Sequence, residues 1–179
     1  AAEWLQRPPG APDAPAPRFA WLHFNLAQVG AERWLERHAA LSDDFYEMLR
    51  DGLFSTRIER ADQALTAVIN DVHFDFELDA SDISTLWISV DPRLVVTGRR
   101  HPLRSVDRLR TAVNRGEAIR STSDLLERLM RTQADVLVGI VRSVTDHIDK
   151  IEDQLLAGRL TTKRSRLGGL RRVLVRLQR

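Results

Sequence analysis

The sequence predicts an α+β fold: a mixed β-sheet flanked by helices, followed by long C-terminal helices. Three observations carry this expectation. Residues 85–90 alternate, with Leu86, Ile88 and Val90 on one side, and Leu94-Val95-Val96 follows directly after Asp91-Pro92-Arg93, the pattern of a β-hairpin with its turn. From about Thr122 to Gly158 the pattern is helical and no proline interrupts it. Finally, 179 residues with 43% hydrophobic and 29% charged content are enough for one substantial core. The chain divides into a Pro/Ala-rich lead-in at 1–17, an α/β domain at 18–120 and a long helical hairpin at 121–179.

Each element has a local reason. Prolines at 8, 9, 12, 15 and 17 keep the lead-in extended. Phe19–Leu26 alternates as a strand, with Leu22, Phe24 and Leu26 on one side and Trp21, His23 and Asn25 on the other. A short helix is expected at about Ala31–Ala40. A second starts after Ser42, whose hydroxyl caps it while Asp43 and Asp44 complement its dipole, and Gly52 ends it. Phe54–Arg60 and Ala64–Phe76 read as strands around Ala61-Asp62-Gln63. In the hairpin, Leu86, Ile88 and Val90 alternate with Thr85, Trp87 and Ser89. A helix follows at Ser105–Asn114 and stops at Arg115-Gly116.

The second half is different. Thr122 or Ser123 is expected to cap a helix about 50 Å long, at about 1.5 Å per residue. Its apolar seam is Leu137, Ile140, Val141, Val144, Ile148, Ile151 and Leu155, spaced for a helical partner. A second helix from Thr161 or Thr162 carries Leu167, Leu170, Leu174 and Leu177. It is still running at Arg179, so the sequence reads as truncated before further helices.

Composition excludes several kinds of chemistry. There are no cysteines, hence no disulfide, thiolate metal site or cysteine nucleophile. No apolar run of about 18 residues occurs, and no signal-peptide pattern opens the chain. The net charge of +2 hides an asymmetry, because from Arg159 onward there are eight basic residues and no acidic one. An acidic body with a basic terminal helix points to internal pairing or to an anionic partner. Phosphate-binding loops, nucleophile elbows and zinc-hydrolase motifs are all missing, so the chain is not expected to be an enzyme or to require a cofactor.

Two stretches offer metal-binding groups. His73, Asp75, Glu77 and Asp79 share one face of an extended strand. Same-face neighbours lie about 6.5–7 Å apart, too far for all four to share one ion, and any half-exposed strand alternates in this way. On the long helix, Asp135, Arg142, Asp146, Asp149 and Asp153 lie opposite the apolar seam, while His147 is roughly 120° from the centre of this stripe and could join Asp146 only with partners from elsewhere. Asp146, Asp149, Asp153 and His147 are the candidate metal residues. A lone helix would carry such a stripe simply as a solvated face. Several helices around a vestibule would use it to concentrate cations. Without a tetrahedral ligand set, divalent binding is expected to be weak and dispersed. Arg99-Arg100-His101 ends a strand, where it is either an anion contact or a solvated strand end.

The string TLWISVDPRLVVTGRRHPLRSVDRLRTAV (Thr85–Val113), followed by RSTSDLLERL (Arg120–Leu129), resembles the cytosolic domain of CorA-type divalent-cation transporters. It is most similar to their ZntB-like, zinc-transporting branch through Gly98–Val106. The resemblance covers about Arg18 to Arg179. It implies the cytosolic funnel domain of a homopentamer at the cell inner membrane, with this part on the cytoplasmic side and the membrane reached through C-terminal helices that are missing here. The cargo would be Zn2+, or Mg2+ as in the CorA branch, with no nucleic-acid partner. Two family features are absent from the sequence: the membrane helices and the Gly-Met-Asn filter motif. The family's intersubunit carboxylate pair does not carry over either, since Glu47-Met48 stands where its acidic pair is expected. The alternative is a soluble adaptor that meets an anionic surface, nucleic acid or lipid, through the basic C-terminal helix.

Overall fold

The computed structural model describes residues 19–51, 56–61, 64–73, 82–156 and 163–178. Its five strands are β1 (Ala20–Asn25), β2 (Arg57–Ala61), β3 (Ala64–Val72), β4 (Ile83–Val90) and β5 (Leu94–Arg99). The helices are α1 (Ala31–His38), α2 (Asp43–Asp51), α3 (Arg104–Asn114), α4 (Thr122–Leu156) and α5 (Lys163–Leu177).

One sheet holds all five strands in the order β1-β5-β4-β3-β2. β1 runs parallel to β5 and every other neighbouring pair is antiparallel, so the sheet is mixed as expected. The hairpin is built by Asp91. Its carboxylate accepts from the backbone nitrogens of Arg93 at 2.6 Å and Leu94 at 2.8 Å, a side-chain-stabilised turn that brings Val90 opposite Val95.

Helices cover both faces of the sheet. Val68, Trp87, Leu94 and Val96 point into a core with Leu35 of α1 and Phe45, Met48 and Leu49 of α2. Their neighbours Ala67, Ile69, Leu86, Ile88 and Val95 point the other way, against Val106 and Leu109 of α3 and Leu125 and Leu129 of α4. All of residues 85–89 are therefore buried, polar ones included. The expected in–out alternation of a one-sided strand is replaced by burial on both sides. Gly98 is required by packing, because a Cβ there would lie 2.7 Å from a methyl carbon of Leu26.

The predicted caps hold with one shift. Ser42 caps α2, its hydroxyl accepting from the Phe45 nitrogen at 3.4 Å. On α4 the cap is Ser121 rather than Thr122 or Ser123: its hydroxyl accepts from the Asp124 nitrogen at 3.0 Å. The Asp124 carboxylate reaches back to the Arg120 nitrogen at 2.8 Å, just before the cap, and so ties the incoming chain to the first turn. β2 starts at Arg57 and β3 ends at Val72. Gly52, Phe54, Asp62, Gln63 and Phe74–Phe76 lie outside the described residues.

The 35 residues of α4 span about 52 Å. Its seam of Val136, Ile140, Val144 and Ile151 is buried with Leu170 and Val173 of α5 and with Val72 and Ile83 of the sheet, which makes the helical hairpin. Three residues assigned to the seams are exposed instead: Val141 at 53%, Leu167 at 41% and Leu174 at 39%. The buried positions are Val136 and Val173, since the contact line follows 136, 140, 144 and 151 and leaves Val141 about 95° away around the helix.

Candidate functional site

The acidic stripe is real in three dimensions. Asp135, Asp146, Asp149 and Asp153 all lie exposed on α4, on the side away from the buried seam. None of the four has an ion-pair partner among the described residues. His147 is exposed and donates from Nδ1 to the Ser143 carbonyl at 2.8 Å, which fixes its ring and leaves Nε2 as the outward nitrogen. Asp146, Asp149 and Asp153 follow one another at roughly one-turn intervals along α4. Among the described residues no three His, Asp or Glu side chains converge on a single ion.

Arg171, Arg172 and Arg176 of α5 are exposed, and no ion pair joins them to α4 among the described residues. α5 docks through Leu170 and Val173, an apolar contact with the seam of α4.

Between α3 and α4 lies a groove of about 420 Å3. It holds charges of both signs, most of them matched: Arg128 pairs with Asp124 at 2.9 Å and Glu117 at 3.2 Å, and Arg131 pairs with Glu127 at 2.7 Å. The Arg120 nitrogen and the Arg128 guanidinium hold the Asp124 carboxyl below its ordinary range. Mutual neutralisation of this kind offers a ligand little field, so the groove reads as a clasp between the two helices.

Two polar networks brace the sheet. Trp21 Nε1 donates to Thr97 Oγ1 at 2.9 Å, His23 Nδ1 meets the same oxygen at 2.8 Å, and Arg99 Nε donates to His23 Nε2 at 3.0 Å. Because Nε2 must accept, the proton sits on Nδ1 and the ring is neutral. Burial, aided by the Arg99 and Arg110 charges, lowers its pKa to about 4. In the second network, buried Asp71 accepts from the Ser105 nitrogen at 3.1 Å and from the Ser105 hydroxyl. Burial raises the Asp71 carboxyl above its ordinary range, although the Ser105 and Val72 donors and the Arg104 charge oppose the shift.

Of the His73–Asp79 face, only His73 lies among the described residues. Its ring stacks on that of His101, with centroids 4.8 Å apart, and its Nδ1 is 3.9 Å from an Asp82 oxygen. Sequence spacing could not pair these three groups, because the strand register brings them together.

The chain's sequence and fold are both similar to those of known proteins. The family model described as CorA-like Mg2+ transporter protein matches residues 17–179. The chain belongs to the CorA-like Mg2+ transporter family. Among its relatives, the divalent cation transporter CmaX of Pseudomonas aeruginosa is 24% identical over 163 residues, covering 86% of this chain and 49% of that protein. The chain thus spans about half the length of this relative. The structure of full-length CmaX superposes with a TM-score of 0.76 at 24% identity, over 89% of this chain and 49% of that one. The soluble domain of CorA from Methanocaldococcus jannaschii gives 0.71 at 21% identity, over 88% of this chain and 64% of that one. The ZntB cytoplasmic domain from Vibrio parahaemolyticus gives 0.62 at 15% identity, over 88% of this chain and 65% of that one. These likenesses show a shared fold. Among the described residues no helix is long and apolar enough to cross a membrane.

Proposed function

We propose that this chain is the cytoplasmic domain of a divalent-cation transporter, with Zn2+ as its cargo and Mg2+ as the alternative. The supporting observation is the family match over residues 17–179 together with an exposed acidic stripe, without ion pairs among the described residues, along a helix of about 52 Å. The naming of CmaX as a divalent cation transporter supports the reaction class. A place on the cytoplasmic side of the inner membrane is supported by the likeness in fold to a ZntB cytoplasmic domain.

In this reading Asp146, Asp149 and Asp153 line a vestibule in a homopentamer, while His147, roughly 120° around the helix from the stripe, could meet a cation only with partners from elsewhere. The screening length is about 8–10 Å at ordinary salt, so one stripe does little by itself and five facing one another do much more. The carboxylates would raise the local concentration of hydrated cations without binding them tightly. Exposed Val138 and Val141 on α4, with Leu174 and Val175 on α5, supply apolar surface for packing between subunits.

Uptake measured in vesicles containing the intact transporter tests the proposal. Charge reversal of Asp146, Asp149 and Asp153 should slow divalent-cation entry, most clearly at low ionic strength. Unchanged uptake by a folded, assembled triple variant would overturn the vestibule role. The adaptor alternative draws on exposed Arg171, Arg172 and Arg176. It requires salt-sensitive binding of the purified chain to anionic vesicles.

A further inference from the structure

We infer that His73 and His101, oriented by Asp82, form a binding site for one borderline-soft divalent metal ion, with Zn2+ as the reference ion. The inference rests on how three chain segments meet at His73. The β3–β4 ladder ends at the pair Val72–Ile83, and the next rung is the His73 nitrogen donating to the Asp82 carbonyl at 2.7 Å. On the other side, His73 forms an isolated antiparallel bridge with Leu103. Backbone pairing on both flanks therefore holds His73 between Asp82 and the His101–Leu103 segment.

The side chains follow from that placement. His73 Nδ1 faces the Asp82 carboxylate at 3.9 Å, and the His101 ring lies over the His73 ring at 4.8 Å with an interplanar angle of 30°. His73 Nε2 is buried and has no hydrogen-bond partner. A buried polar nitrogen with no partner is uncommon and asks for an explanation. A metal ion supplies one: Nε2 ligates while Nδ1–H faces a carboxylate, the outer-shell arrangement that fixes a metal-binding imidazole.

In the present arrangement the rings stack, and their lone pairs do not converge. His101 is exposed, and no hydrogen bond holds its ring among the described residues. Rotation of this side chain brings a second imidazole nitrogen to the ion lying on His73 Nε2, and water completes the shell. Two imidazoles favour Zn2+, Ni2+ or Cu2+ over Mg2+, whose preference is for oxygen. The inference stands apart from the transport reading, since it concerns binding by this chain and not passage of the ion.

The test is calorimetric titration of the purified chain with Zn2+, repeated with a large excess of Mg2+, alongside the visible absorption of bound Co2+. The expected result is one Zn2+ per chain that Mg2+ does not displace. H101A should weaken binding about tenfold or more, H73Q likewise, and D82N by roughly 10–100-fold. Because the His101 ring is exposed, H101A keeps the fold, and circular dichroism checks this for each variant. E36Q, which changes an exposed carboxylate on α1, should leave affinity unchanged. Absence of saturable Zn2+ binding, full affinity in H101A, or loss in E36Q alone would each overturn the assignment.

Discussion

The carboxylate of Asp71, in the sheet, caps the helix that begins beside Ser105. It accepts from both the nitrogen and the hydroxyl of Ser105 in the first turn of α3, while the residue at the cap position, Leu103, has no side chain able to do so. A strand thus supplies what a local Ser, Thr or Asp usually supplies, and the joint between sheet and helix becomes a hydrogen-bonded one. Asp71 to Ala should destabilise the chain by about 1–3 kcal/mol, because the freed donors stay buried. Asp71 to Asn, which keeps one acceptor, should cost less. Urea unfolding of both variants measures the difference, and equal stability of D71A and the parent would remove the capping role.

Much of the fold was legible because its signals are local. The Asp91 turn, the Ser42 cap and the α4 period each need only a few neighbouring residues, and each is found where the pattern places it. The parallel pairing of β1 with β5 was not legible, since Ala20 and Leu94 meet only after the rest of the sheet assembles. Burial of Trp87 and Ser89 was hidden for the same reason: coverage of both faces is a property of the layers. At the candidate sites, the acidic stripe could be read from helical spacing alone. The His73–His101 stack joins residues 28 positions apart through a bridge that no spacing rule reports.

His23 makes stability depend on pH. Its folded pKa of about 4 lies below the ordinary 6.5, so the unfolded chain binds this proton more readily. Its stabilising contribution is complete above pH 6.5 and is lost as pH falls toward 4. The loss is at most about 3 kcal/mol, as protonated Nε2 would confront the N–H of Arg99. The facing charges, Arg99 and Arg110, act in the same direction. Denaturant midpoints between pH 7 and 4 should fall, and H23N should flatten that part of the slope. A slope unchanged by the substitution would place the pH dependence in other groups.

Gly98 leaves no room for a side chain. Alanine there would press on Leu26, whose methyl carbon is 2.7 Å from the Cβ position in a packed core. G98A should cost about 1–2 kcal/mol, in the range of overpacking. Adding Leu26 to Ala should then cost less in the G98A background than in the parent. A double-mutant cycle reads this coupling directly, and additive costs would show that Leu26 moves aside freely.

Exposed apolar residues separate assembly from folding. Val138 and Val141 lie 48% and 53% exposed on α4, between the buried seam and the acidic stripe. A surface substitution away from special contacts usually changes stability by within about 0.5 kcal/mol, so V138K with V141K should leave the thermal unfolding of the isolated chain nearly unchanged. If this strip packs between subunits, the same pair of changes should impair assembly of the intact transporter, because it buries two ammonium groups at an apolar contact. Size-exclusion chromatography with light scattering distinguishes the cases. Intact assembly carrying both lysines would move the interface off this strip, and a lowered unfolding temperature in the isolated chain would show that the two valines support the helical hairpin itself.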